Sequence, residues 1–434
     1  MSAAGTSGGG VATRRPLVGS VRAAYVTCAV IFVWAVAQFY RPGTGFTNLI
    51  QIGDRTDPPV TELHEVPHYV YERSAGYDGA YYVQFALNPT LRNPELKTAI
   101  DNPIYRARRI LMGWVAWLAG LGQPAWIVQA YALINVASWL GLAVVLLRWF
   151  PATSWENFLR WGGVMFSQGL CMSVHDSLVD GPALLFVALA MAAWENGRRG
   201  WSTAWLALGG LSRETSLLAA TGLAPWDKQD RTGWVRFAKA TVLAALPLAA
   251  WMIYVQWRLG PMRDAGLNNF TLPLAGLAEK WGTVVADMAE HPGRGVNHAT
   301  LAFAIALTVQ FLFFALRWRP REAWWRVGAT FAVLLMFLAQ PVWEGYPGAA
   351  ARALLPMALA FNILVPRQRG WLIVLLAGNL SIVAAYREFD PPVGDFFSVS
   401  GEPAVVAAVR IEPSGHWYDA EHDGGQQWPY RAPA

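Results

Sequence analysis

The chain has 434 residues, of which 54% are hydrophobic and only 15% are Asp, Glu, Lys or Arg, against about 25% charged residues in an ordinary soluble domain. Too little charge is present to cover a water-facing surface, which excludes a disordered chain, a coiled coil and a typical cytosolic enzyme, and favours a protein that uses lipid as part of its solvent. The net charge of +5 is small, so its placement along the chain matters more than its size.

The Gly/Ser-rich first ten residues predict disorder. Apolar runs that reach, or nearly reach, the length of a bilayer crossing lie at 23–40, 126–147, 159–175, 181–195, 236–257, 298–316, 326–342, 352–366 and 371–386. Two shorter runs, 201–212 and 215–225, flank Arg213 and Glu214 and read as short helices meeting at the membrane surface. The fold class is therefore an all-α integral membrane protein of about eleven transmembrane helices. The first run is too long, and lacks the following small-residue site, to be a cleavable signal peptide.

Basic residues set the expected orientation. With the N-terminus cytoplasmic, the inner segments hold Arg14, Arg15 and Arg22, Arg148 and Arg160, Arg198 and Arg199, Lys228 to Lys239, Arg317 to Arg326, and Arg367 and Arg369, while the short outer turns carry only Arg213 and Arg352. That asymmetry is the positive-inside pattern. The layout divides into a cytoplasmic segment 1–22, a polytopic domain 23–386 with large outer loops at 41–124 and 258–297, and an outer tail 387–434. The tail alternates aromatics with Gly and polar residues, which suggests a small β-hairpin. The run 107–121, ARRILMGWVAWLAGL, is short for a crossing and crowded by arginines at its start, so it reads as an amphipathic helix on the outer surface.

Ionisable residues near membrane depth are costly and mark function. Here they are Asp78 in the first outer loop, His175, Asp176 and Asp180, the Arg213–Glu214 pair, and Glu344 and Arg352, all expected on the outer face. A partly desolvated carboxylate acquires a raised pKa and serves as a general base, and arginines meet phosphate oxygens in a planar fork. Each residue also has a plainer reading. Arg213 and Glu214 can pair with each other, and Asp176 and Asp180 can cap the helix that begins near Pro182. Asp78, flanked by Gly76 and Gly79, can be an ordinary helix cap. Arg106, Arg108 and Arg109 suit either lipid head groups or a lipid-linked phosphate, with Arg109 favoured for the phosphate because it borders the apolar run.

His64, Glu65 and His68 spell H-E-x-x-H, the zinc protease signature, but Pro67 and the weakly helical flanks argue against a zinc site. No phosphate-binding G-x-x-x-x-G-K-[ST] run occurs, and no basic patch suits nucleic acid. Cys28 and Cys171 sit in apolar stretches, so neither a disulfide framework nor redox chemistry is indicated.

The segments YDGAYYVQFALNP, DNPIYRARRIL, HDSLVDGPALLFVALAM, GLSRETSLL and EGYPGAAARALLPMAL together resemble the bacterial polytopic glycosyltransferases of the GT-C class, related to protein mannosyltransferases and lipopolysaccharide-core sugar transferases. The resemblance covers most of residues 20–390. It implies an enzyme of the bacterial inner membrane whose site faces the periplasm or cell exterior. Such an enzyme moves a sugar, with inversion, from a polyprenyl-phosphate donor to a glycan, lipid or protein acceptor. On this resemblance Asp78 is the candidate catalytic base, Arg109, Arg213 and Arg352 bind the donor phosphate, and Asp176, Asp180 and Glu214, with His175 and Glu344, shape the sugar or acceptor pocket. Many members carry two adjacent acidic residues in the first loop. Here Asp78 stands alone, with Asp54 and Asp57 as a substitute pair, so a divalent cation (Mg or Mn) is left as an open cofactor. The alternative function is a transporter or flippase for a lipid-linked or small anionic substrate, whose charges would gather near the bilayer midplane.

Overall fold

The computed structural model describes residues 15–55, 57–225, 231–261, 266–344 and 349–391; the expected disordered start and tail hairpin lie outside them. Among the described residues the structure is helical, with three isolated bridges and no strand. In chain order the helices are α1 (Arg15–Ala37), α2 (Thr61–His64), α3 (Asp78–Leu87), α4 (Leu96–Ala99), α5 (Pro103–Ala107), α6 (Leu111–Ala119) and α7 (Pro124–Val145). They continue with α8 (Trp155–Met165), α9 (Gln168–His175), α10 (Asp180–Glu195), α11 (Arg199–Ser212), a 3₁₀ helix at Glu214–Leu223, and α12 (Arg231–Leu259). The last group is α13 (Ala275–Glu290), α14 (Gly295–Leu316), α15 (Ala323–Phe337), α16 (Gln340–Glu344), α17 (Ala349–Ala353), α18 (Leu355–Leu364), α19 (Leu372–Gly378) and α20 (Ile382–Ala385).

Four of these segments, Gly19–Ala37, Pro124–Arg148, Arg231–Leu259 and Asn297–Leu316, are long and apolar enough to cross a membrane. The protein is thus a helical membrane protein. Several of the other apolar runs are broken in two. The run 159–175 is α8 and α9, kinked at Ser167, whose hydroxyl donates back to the Val164 carbonyl at 2.8 Å. The runs 352–366 and 371–386 likewise divide into α17 with α18 and α19 with α20. Segments 201–212 and 215–225 fall in two separate helices: α11 ends where Arg213 adopts an extended backbone, and a 3₁₀ helix follows it.

Local chemistry explains the boundaries. Asn102 caps α5 by accepting from the Tyr105 N–H at 3.1 Å, with Pro103 in the first turn, and Ser154 caps α8 through Asn157 at 3.2 Å. Two arginines close helix ends from the other side. Arg160, 1% exposed, donates to the carbonyls of Asn362 and Pro366 at the end of α18 while holding Glu156. Arg326 donates to the carbonyls of Thr221 and Gly222 at the end of the 3₁₀ helix. Carbonyls at a helix C-terminus lack intrahelical donors, and a cation there also meets the favourable end of the dipole.

The first loop is a folded unit, not a strap. Helix α6 has nine residues, about 14 Å at 1.5 Å per residue, too short for a ~30 Å bilayer core. It folds back on α7 and also covers α3. Leu118 near its end, Leu121 just beyond it and Trp126 of α7 are exposed. The unit is pinned to α12 by the Trp251 indole donating to the Ala107 carbonyl at 2.7 Å and the Tyr254 hydroxyl donating to the Thr90 carbonyl at 2.6 Å.

Gly79 seats α3 on the rest of the fold. A Cβ there would lie 2.3 Å from the Asp176 carbonyl oxygen and 2.7 Å from that of Ile50. Gly162, in α8, has open space around its Cβ direction. We therefore expect Gly79→Ala to lower stability by about 1–3 kcal/mol, the usual cost of overpacking, and Gly162→Ala to be neutral or slightly stabilising. Thermal unfolding of the purified variants in one detergent reads the contrast, and equal melting temperatures would refute it.

Candidate functional site

The first turn of α3 presents Asp78. The N-cap is Tyr77 and no side chain caps the helix, so Asp78 is not a helix cap. Its carboxylate accepts from Arg106 at 2.7 Å, and Arg106 also holds Asp101 and lies over the Tyr81 ring at 4.2 Å. Burial pushes the Asp78 carboxyl up, but Arg106, Arg352 and Arg109 outweigh it and hold the group below the usual carboxylate range. The raised pKa expected for a desolvated base is therefore corrected: nearby guanidinium charge wins over desolvation.

Two further carboxylates are each clasped by two arginines. Glu214 receives Arg109 in a two-pronged bond of 3.0 and 3.1 Å, with Arg108 at 3.5 Å. Arg109 also donates to the Tyr82 hydroxyl at 2.6 Å, and Arg108 lies over the Tyr105 ring. Despite burial, Arg109 first and then Arg108 and Arg213 hold Glu214 well below the ordinary glutamate range. Asp180, the first residue of α10, is ion-paired with Arg213 and with Arg352 at 3.2 Å, and Arg352 donates to the Tyr77 hydroxyl at 2.8 Å. Asp180 therefore spends its side chain on these partners instead of capping α10. Arg213 and Glu214 do not pair with each other; one belongs to each clasp. A small cavity lies between Asp180, Arg213, Thr215, Ser216, Arg352 and Pro356.

His175 and Asp176 form a third group. Nδ1 of His175 lies 2.6 Å from Asp176, Nε2 lies 3.4 Å from the Gln51 side-chain nitrogen, and Glu388 lies 3.9 Å away. Asp176 is 1% exposed and does not cap α10. Through Gly79, the backbone of Asp176 touches the same turn that carries Asp78.

The fold thus brings together Asp78, Arg109, His175, Asp176, Asp180, Arg213, Glu214 and Arg352. It leaves out Glu344, which pairs with Lys280 of α13 at 2.8 Å. It also leaves out Asp54, which is exposed and accepts from the Ser74 amide, and the exposed Asp57. Sequence reasoning missed Arg106 as the partner of Asp78, Arg108 as the second partner of Glu214, and Glu388. The tyrosines that orient the arginines were visible only as aromatic residues near Asp78. Helix α2 ends at His64, and His68 turns to the Val66 carbonyl at 2.7 Å, so the two histidines do not share a helical face. Cys28 and Cys171 are unpaired.

Among the described residues no three His, Cys, Asp or Glu side chains gather as a metal site. The donor set also disagrees with a divalent cation, because the oxygens of Asp78, Asp180 and Glu214 already face guanidinium groups. Comparison of the chain with protein-family models, curated proteins and solved structures found no match.

Because its pKa is depressed in the folded protein, Glu214 contributes stability that is present above the ordinary glutamate value of 4.5 and is lost as pH falls through the lower folded value. Glu214→Gln should therefore destabilise the protein at pH 7, and the difference from the unmodified chain should shrink on acidification below 4.5. Unfolding midpoints measured from pH 7 to pH 3 test this; a difference that grows toward acid would contradict the ion-pair account.

Proposed function

We propose that the protein is a membrane glycosyltransferase. It would move a sugar from a polyprenyl-phosphate donor to an envelope glycan, lipid or protein acceptor by inverting single displacement. In this reading the chain crosses a bacterial inner membrane about eleven times, with broken helices counted as single crossings, and the site faces the periplasm or cell exterior. It belongs by resemblance to the GT-C class.

The observation that supports it best is one carboxylate, Asp78, ion-paired with Arg106 and within the field of Arg352 and Arg109, beside arginines gathered from segments far apart in the chain that Glu214 and Asp180 hold: Arg109, Arg213 and Arg352. Fixed guanidinium groups meet a phosphate well, and Asp180 and Glu214 hold them in place when no phosphate is bound. In the proposed step the acceptor hydroxyl oxygen bonds to the anomeric carbon while the bond from that carbon to the phosphate oxygen breaks. The electron pair leaves with the phosphate, toward the arginines. The hydroxyl proton goes to Asp78. A carboxylate of lowered pKa takes that proton late, once the oxygen has begun to bond, which suits the oxocarbenium-like transition states of glycosyl transfer.

Purified protein in lipid nanodiscs, given a panel of polyprenyl-phosphate sugars, should consume one of them. Asp78→Asn should slow that reaction by roughly 10²–10⁴-fold, whereas Asp54→Asn, on the exposed loop, should leave it unchanged. Consumption of no donor, or transbilayer movement of the lipid without sugar transfer, would replace the enzyme reading with that of a carrier or flippase.

A further inference from the structure

The group around His175 differs in chemistry from the arginine clasps. It contains hydrogen-bond acceptors that lack donors. Asp176 is almost sealed, and its Oδ2 has no hydrogen-bond partner among the described residues. Gln168, 8% exposed, hydrogen-bonds Glu388, and its Oε1 is buried without a partner among the described residues. Glu388 arrives from the short 3₁₀ turn after α20, Tyr386–Phe389, and is partly exposed beside the His175 ring. Gln51 keeps its side-chain nitrogen on the Asn48 carbonyl and the Tyr71 hydroxyl, at 3.2 and 3.1 Å, so its two protons are already claimed.

Buried acceptors without donors are expensive, and each such group in a native protein calls for an explanation. Burial, the largest influence on Glu388, lifts its carboxyl to about 7, with Asp176 adding to the rise and His175, Arg352 and Gln168 opposing it. Nearby charge reinforces the pattern. The negative charges of Asp176, Glu388 and Asp390 all act on His175, and the cations that act on Asp176 and Glu388 are His175 and Arg352. A ligand that completes this wall must bring donors and must not bring negative charge.

We infer that Asp176, Gln168 and Glu388, with His175, form a subsite for the hydroxyl-rich, uncharged or cationic sugar of the substrate, beside the arginine clasps that hold its phosphate. The inference rests on the glycosyltransferase reading and names the part of the substrate that this wall takes. The two halves are electrostatically opposite: guanidinium groups for the phosphate, lone acceptors for sugar hydroxyls or an ammonium. They adjoin where α3 sits on the Asp176 carbonyl. A sugar bearing a carboxylate or a second phosphate is rejected, since it would set like charge against Asp176 and Glu388.

Two measurements on the full chain in nanodiscs test this. In the first, binding of polyprenyl phosphate without sugar is compared with binding of polyprenyl-phosphate sugars, in the unmodified protein and in Glu388→Gln. The variant should hold the bare lipid phosphate as before and bind the sugar-bearing lipid about tenfold or more weakly, the usual consequence of losing a charge-assisted hydrogen bond. Equal weakening for both lipids would mean that Glu388 only supports the fold, and the subsite would be abandoned. In the second, saturation-transfer NMR with millimolar methyl glucoside, methyl mannoside, methyl arabinoside and methyl glucuronide needs no lipid phosphate. The neutral glycosides should show contact that Glu388→Gln diminishes, and the glucuronide should show none. Signal from the glucuronide equal to the neutral sugars, or from no glycoside, would overturn the subsite. Failure of the unmodified protein to bind any polyprenyl phosphate would sink the glycosyltransferase reading while leaving the glycoside result to judge the wall by itself.

Discussion

The arrangement depends on one constraint: a charge buried among apolar helices must find its partner or the helices will not stay together. Asp180 shows it most sharply. Its carboxylate is nearly sealed and is shared by Arg213, from the break after α11, and Arg352, from α17. Taking one carboxylate out of water costs several kcal/mol even after relaxation, and a buried pair repays it only when geometry and further hydrogen bonds are good. Removing Asp180 would leave two buried guanidinium groups without their shared anion, so α10, α11 and α17 are fixed relative to one another by electrostatics as well as by packing. Because Glu214 follows Arg213 directly, the second clasp is placed by the same break, and Arg108 and Arg109 bring the first loop with it.

The polar cluster also explains why the bundle tolerates so many interrupted helices. A continuous α-helix would carry residues 159–175 past the site as one rod. The kink at Ser167 instead lets α9 turn His175 and Asp176 toward Gln51 and the end of α20. The backbone groups freed at such breaks are satisfied nearby, by the Ser167 hydroxyl at one and by Arg160 and Arg326 at two helix ends. Arg160 and Arg326 also illustrate how one residue can serve two demands. Each belongs to the basic bias from which orientation is read, and each closes a helix end whose carbonyls would otherwise be orphaned.

Much of this was legible in the sequence, for a physical reason. Charges are so sparse in an apolar chain that Asp78, Asp176, Asp180, Arg213, Glu214 and Arg352 stand out against their surroundings, and lipid leaves them few places to go except toward one another. That 107–121 holds only a short helix was legible in the same way, from its length. Pairing was not legible. Nothing local distinguishes Arg106 from Arg109, because the choice between Asp78 and Glu214 is made by the turn through α5. Glu344 belongs to the same outer region by pattern but meets Lys280, a residue that looks solvent-facing along a polar loop helix. Glu388 was read as the start of an outer tail, since proximity across more than two hundred residues leaves no trace in spacing. The expected rise in the Asp78 pKa failed for a related reason: burial could be read from composition, whereas the number of guanidinium groups facing the carboxylate could not.

The site is assembled from residues spread from Gln51 to Glu388, and this scatter has a consequence for biosynthesis. Chains emerge from the ribosome N-terminus first, so Asp78 and its arginine neighbours are made long before Arg352 and Glu388 exist. During that interval Asp180 lacks one of its two cations, and the acceptors beside His175 lack the short turn that covers them. The charge cluster of a nascent chain is therefore incomplete for most of translation, and it closes only when the last helices have been made.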